Sequence, residues 1–470
     1  MKNKRCIFLL VLILLLLSSL CLAACYENPE QKPLTPSQLE YEYSQEYEGY
    51  IAVAPKDKFI SELVMPEFYD GKPVVGMAPN FLLDCSQILT MYISKSIKFI
   101  DTVGFIRLSN LRSVTVDKSN ADFSSIDGIL YNKTQTEIIL VPKKINNAVT
   151  IPSSIKTIDG YHFAYTSVTD ITLSEGIERI DGGAFDHCPI KTIHLPASLT
   201  TLDAKAFSGC ETLETVTVSK QNAHFSLYKN ILYNKDQTEI VYVPNTVKGK
   251  VTLSENLKIL PRACFSGKEI TSINLPNGLT DIGAAAFSGC ATLTDIVIPN
   301  SVTSIGNNAF FECTSLTDVD IPNSVDYLGS SAFAGCAKFT RVRIPNKITE
   351  LNDGVFAGCS NLVSIDFNNT QSIGSYCFGN CTKLESVNLS DKTTAIDDLA
   401  FFGCVNLYRL DLPNTLKSIG KDAFGSCENL TTICFNGTIE QWNGITNNKF
   451  WLADTNKVEY ITCTNGSVTK

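Results

Sequence analysis

A phenylalanine recurs every 22 or 23 residues along much of this 470-residue chain, and that period constrains the fold more than any other feature. It stands at Phe287, Phe310, Phe333, Phe356, Phe378, Phe401 and Phe424. Upstream it stands at Phe163, Phe185, Phe207 and Phe265, and more loosely at Phe81 and Phe105. Each unit also carries an alternating run such as Ile296-Val297-Ile298, whose two isoleucines face one side of a strand. Pro299 ends that strand, and Ile305-Gly306 makes a second short extended segment. The Ala-Phe pair sits on a compact or single helical turn. One such coil cannot bury its apolar side alone, whereas stacked coils share a continuous core. The expected architecture is a solenoid of about fifteen coils, mainly short stacked β-strands with short helical turns.

Two gaps of 58 residues interrupt the count, Phe105 to Phe163 and Phe207 to Phe265. The extra residues match each other: DFSSIDGILYNKTQTEIILVP against HFSLYKNILYNKDQTEIVYVP. Ile129, Tyr131 and Pro142 correspond to Ile231, Tyr233 and Pro244 at a common offset of 102. Each stretch reads as strand, polar turn, strand, so β-hairpin insertions are expected at about 117–145 and 219–247. The offset points to duplication of a multi-coil block.

The pattern xxIxIPxSVTxIGxxAFxxC resembles the BspA-like class of bacterial leucine-rich repeats, cell-surface antigens of oral and gut bacteria. MPEFYDGKPVVGM looks like that family's entry segment, and FNGTIEQWNGI followed by ITCTNGS resembles its closing region. The resemblance implies a leucine-rich-repeat solenoid over 49–435 and a C-terminal cap over 436–470. A cap has a physical rationale, because an uncovered last coil exposes its core and strand edges. The resemblance also implies adhesion to a host or bacterial surface protein.

The first residues set the expected compartment. Lys2, Lys4 and Arg5 precede an apolar run from Cys6 to Leu20, closed by Leu22-Ala23-Ala24-Cys25. A short apolar segment ending in small residues reads as a secretory signal, here 1–24. Cys25 after two alanines resembles the lipobox of bacterial lipoproteins, where the thiol is acylated and becomes the first residue. The alternative is an ordinary signal sequence with a coincidental cysteine. Each buried methylene of an acyl chain contributes about 0.8 kcal/mol, so two or three chains anchor stably. Residues 25–48, rich in Pro and Glu, read as the lipidated Cys25 and a flexible tether. The protein is then expected on the extracellular face of the bacterial membrane or envelope, held through its lipid. Loss of the three basic residues moves the formal charge from -9 to -12. An acidic chain without a basic block argues against nucleic acid as a partner.

Of the 17 cysteines, nine lie three residues after a landmark phenylalanine, among them Cys290, Cys313, Cys336 and Cys359. A secreted chain rich in cysteine suggests disulfides. One cysteine per coil at fixed register instead suggests a ladder of buried thiols packed as small hydrophobes beside Phe287, Phe310, Phe333 and Phe356. Evenly spaced single ligands do not build a tetrahedral metal site. The four histidines form no ligand-spaced cluster, and a GxSxG elbow, a P-loop and a strand-linked GxGxxG are all missing. No catalytic residue, metal or cofactor is therefore expected.

The exposed strand positions are the informative surface. One column runs through Asp295, Asp318 and Arg341, and its partner through Asp320, Arg343 and Asp366. Their charges form either a cross-strand ladder contributing about 0.2–1 kcal/mol per pair or a binding patch. The expected function is non-catalytic protein binding or adhesion at the cell surface. A structural or glycan-contacting envelope component is the alternative, though the columns hold almost no aromatic residues beyond Tyr92.

Overall fold

The computed structural model describes residues 36–145, 148–447, 450–452 and 457–469. The expected signal sequence, Cys25 and the tether as far as residue 35 lie outside them. The described chain is a β-solenoid of about 17 turns with almost no helix. It divides into two compact units. The first takes the described residues up to Ile177 together with Gly183–Pro189 and Phe207–Gly209; the second takes Glu178–Gly182, Ile190–Ala206 and everything from Cys210 onward.

The first unit opens earlier than the tether expectation placed it. Leu39–Ser44 is a strand, paired antiparallel with Gly49–Pro55. The acidic residues Glu40 and Glu42 alternate with Leu39 and Tyr41, so one face of the strand is apolar. Leu39 is buried, and the Tyr41 ring stacks on Tyr69 at 4.0 Å between centroids. Residues 39–44 therefore belong to the fold rather than to a tether. Glu62–Val64, Thr90–Ile93 and Ser113–Val116 then stack in parallel, with Leu63, Met91 and Val114 in register and buried.

The insertion in this unit has three strands rather than two. Phe123–Ile126, Ile129–Asn132 and Ile138–Leu140 form an antiparallel meander. Its first turn, Asp127-Gly128, has φ of 51° and 82°, as a two-residue turn matching the strand twist requires. Buried Asn120 pins the meander to the coil before it. Its Nδ2 donates to the Ser94 and Ile97 carbonyls, and its Oδ1 accepts from the amides of Asp122 and Phe123.

The second unit contains the matching meander, Phe225–Tyr228, Ile231–Asn234 and Ile240–Tyr242. After it the regular coils run without insertion. Gly249–Thr252, Ile270–Asn274 and Asp295–Ile296 pair in parallel. A second column pairs Asp281–Ile282, Ser304–Ile305 and Tyr327–Leu328. Coils approach so closely there that a Cβ on Gly306 would lie 2.6 Å from the Ala284 amide nitrogen, hence the Ile-Gly signature.

The Ala-Phe segments are hydrogen-bonded turns rather than helical turns. Non-glycine residues such as Ala285, Asn308 and Ser331, two places before each phenylalanine, adopt positive φ. That backbone aims every second amide at the next coil: Ala285, Phe287 and Gly289 donate to the carbonyls of Asn307, Ala309 and Phe311 at 2.7–2.8 Å. From Phe265 to Phe424 the rings stack with centroids 5.0–5.7 Å apart and planes within 16°. The cysteine of each coil caps the turn behind it. Cys290, Cys313, Cys336 and Cys359 donate S–H to the carbonyls of Phe265, Phe287, Phe310 and Phe333 at 3.0–3.4 Å. Burial pushes the Cys290 thiol up to about 11 and the Cys313 thiol up to about 12, so both keep that proton at neutral pH.

The ladder ends against tryptophan. Trp451 meets Phe424 edge-on at 6.1 Å, and Trp442 lies 5.8 Å from Trp451. Trp442 sits on Ile439–Asn443, started by Thr438 in a reciprocal cap with Gln441, which satisfies two otherwise orphan amides. The strands close with Tyr460–Cys463 antiparallel to Gly466–Thr469.

Candidate binding surface

The strand residues of the second unit alternate between core and solvent, which places the expected patch outward. Asp295, Asp318, Asp320, Arg341, Arg343 and Asp366 are all exposed, while Ile296, Val319 and Val342 between them are buried. Arg341–Arg343 pairs in parallel with Ser364–Asp366, bringing Arg343 opposite Asp366. Their charged groups stay 3.8 Å apart, with side chains 64% and 59% exposed. An ion pair that open to water contributes about 0–1 kcal/mol, so the fold depends little on it.

Asp318 is different. No strand is assigned over 317–321, and the column that ends at Asp295–Ile296 resumes only at Arg341–Arg343. Asp318 bridges the break with its carboxylate, which accepts from the Thr340 amide and hydroxyl, both at 2.6 Å, and from the Arg341 amide at 3.2 Å. Partial burial raises its pKa, but these donors outweigh that and hold the carboxyl below its usual range. The Arg341 guanidinium stands 3.9 Å away. The side chain that spacing alone assigns to a solvent-facing patch thus substitutes for a missing strand pairing.

Beyond the patch, Arg409 and Asp411 form a bidentate pair at 2.7–2.8 Å. That charge is satisfied within the chain, unlike that of Arg343. Large apolar side chains near these strands are also exposed, notably Val297 at 74% and Tyr408 at 48%. The strand face therefore offers loosely paired charges beside apolar contacts, a composition suited to a protein surface. Among the described residues no group of histidine, cysteine or carboxylate side chains could hold a metal ion.

Two sets of residues escaped the sequence reading. Asn120 and Asn222 lie at the duplicated offset and anchor both meanders; the only signal for them was that shared register. Lys229, Lys248 and Lys250 gather around one cavity beside the second meander, although they are dispersed in the sequence.

A sequence profile of the BspA type leucine-rich repeat region, in six copies, matches residues 142–249, 245–363 and 355–469. No curated protein matches the chain. Solved structures similar to it include a leucine-rich repeat protein from Bacteroides ovatus, 22% identical, covering 90% of this chain and 98% of that one with a TM-score of 0.49. The pneumococcal vaccine antigen PcpA is 18% identical, covering 92% and 98% with a TM-score of 0.48. A leucine-rich cell surface protein from Faecalibacterium prausnitzii is 20% identical, covering 88% and 97% with a TM-score of 0.39. With the repeat profile covering most of the coils described above, the chain belongs to the BspA-type leucine-rich-repeat family.

Proposed function

We propose that this protein is a non-catalytic surface lipoprotein, tethered through Cys25, that binds a host or bacterial surface protein through its exposed strand face. The observation that carries the reading is the loosely paired Arg343–Asp366 set beside Asp320 and Val297. Those charges contribute little to the fold and remain available to an incoming partner, where electrostatic complementarity sets specificity and encounter rate. Repeat families of this kind use such extended faces for binding, and the lipobox resemblance of Leu22-Ala23-Ala24-Cys25 supports the anchor.

Two measurements test it. Metabolic labelling with an alkyne fatty acid should tag the protein in its native bacterium, and Cys25→Ser should abolish the tag and release the chain to the medium. A pull-down with the ectodomain from Tyr26 onward, against matrix proteins and whole bacterial surfaces, should return saturable binding to a protein. A folded ectodomain that captures nothing from either source would refute the binding reading, whatever the labelling shows.

A further inference from the structure

Beside the second meander lies an open cavity of 380 Å³, with Lys229, Asn230, Thr246, Lys248, Lys250 and Thr252 as its polar lining. No carboxylate, arginine or aromatic side chain lines it. Lys229, Lys248 and Lys250 are exposed, and none of the ion pairs among the described residues uses them. The wall between turn and strand is tied together: Asn230 Nδ2 donates to Thr246 Oγ1 at 3.0 Å, and that hydroxyl donates to the Glu214 carbonyl at 2.8 Å. In the strand beyond, the pairing register shifts between Gly249 and Lys250. Lys248 and Lys250, on either side of Gly249, border the same space.

The fold does not require these lysines. At the offset of 102 the first block has Asp127, Asn146 and Ala148 in their places. Asp127 there accepts a hydrogen bond from the Thr150 amide at 3.1 Å. One copy of a duplicated scaffold has thus gathered three ammonium groups that repel one another, in a chain whose net charge is -9.

We propose that this cavity binds a sulfated oligosaccharide, with sulfates on the three ammoniums and sugar hydroxyls on Thr246 and Thr252. Lysine is a mobile point charge suited to singly charged sulfates spread along a chain, whereas bidentate phosphate recognition favours arginine. A helix N-terminus of the kind that cradles phosphate does not border the cavity. Bases of a single-stranded nucleic acid would need an aromatic platform, which this lining does not provide.

The test is titration of the full-length chain in detergent with a sulfated heparin hexasaccharide. Lys229→Gln/Lys248→Gln/Lys250→Gln should weaken binding at least tenfold. Lys347→Gln/Lys383→Gln/Lys417→Gln, the same change in net charge elsewhere, should alter it less than twofold. The desulfated hexasaccharide should not bind. On the unmodified protein, the hexasaccharide should also protect Lys229, Lys248 and Lys250 from acetylation, a readout that needs no variant to fold. Absence of binding, equal loss in both lysine sets, no protection, or equally tight binding of a single-stranded oligonucleotide of matched charge would overturn the proposal.

Discussion

Asn120 and Asn222 stand 102 residues apart and each closes four hydrogen bonds of the same kind. Asn222 Nδ2 donates to the Pro196 and Leu199 carbonyls, and its Oδ1 accepts from the amides of His224 and Phe225, as Asn120 does in the first meander. Asn132 and Asn234 likewise organise the second turn of their meanders, each accepting from two amides. The two meanders diverge elsewhere. Asp127-Gly128 is replaced by Lys229-Asn230, still at positive φ. The buried Tyr131 hydroxyl has no partner, whereas that of Tyr233 accepts from the Ser254 amide at 3.4 Å. What the duplication retained is the set of groups that would otherwise leave buried backbone unsatisfied; what it released is the rim facing solvent.

The largest expected difference between the surroundings of the two meanders appears at alkaline pH. The second meander is followed by the thiol ladder from Cys290 to Cys427, whose pKa values burial raises. A group raised in the folded state stabilises fully below its unfolded value and loses that contribution as pH rises toward the folded one. With an unfolded thiol near 8.5, pH 10 costs about 2 kcal/mol for each buried thiol. Over several thiols of the ladder that becomes comparable with the stability of a typical domain. Trp442 and Trp451 emission should therefore begin to shift to the red between pH 8.5 and 9.5, below the ordinary tyrosine pKa near 10. Emission that stays constant to pH 10 would mean the ladder is not held by protonated thiols.

Asn120→Ala and Asn222→Ala come next. Each strands several buried polar groups, so each should cost about 2–4 kcal/mol and speed hydrogen exchange within its own meander. Unequal effects would break the equivalence of the two anchors. The turns should respond more weakly and in opposite directions. Gly128→Asn brings a Cβ to 3.1 Å from that of Ser113 and should cost about 1 kcal/mol in a chemical denaturation series. Lys229→Asp with Asn230→Gly installs the favoured turn pair and should gain about 0.5 kcal/mol. Smallest is the tyrosine pair: Tyr233→Phe should cost about 0.5 kcal/mol, while Tyr131→Phe should be neutral or stabilising.

How much of this was legible follows from the range of each interaction. The phenylalanine and cysteine columns repeat at most coils, so their stacking could be read from period alone. The duplicated insertions were visible for the same reason, but not the third strand: Phe123–Ile126 and Phe225–Tyr228 are too short and mixed to declare themselves. Over Leu39–Ser44 the glutamates dominate the composition and read as a tether, while the packed face holds only Leu39 and Tyr41. Alternation points Asp318 outward and so reads it as a patch residue. Its role depends on Thr340 in the following coil, and on a strand that fails to form. Lys229 and Lys250 are 21 residues apart and meet only through the fold of the meander.

The most direct test of the binding face uses Asp320→Asn, Arg343→Gln and Asp366→Asn together, omitting Asp318 because of its structural bonds. Binding of this ectodomain to the captured protein partner should fall at least tenfold, with the melting curve unchanged. Undiminished binding by the folded variant would contradict the account and move the partner to another surface.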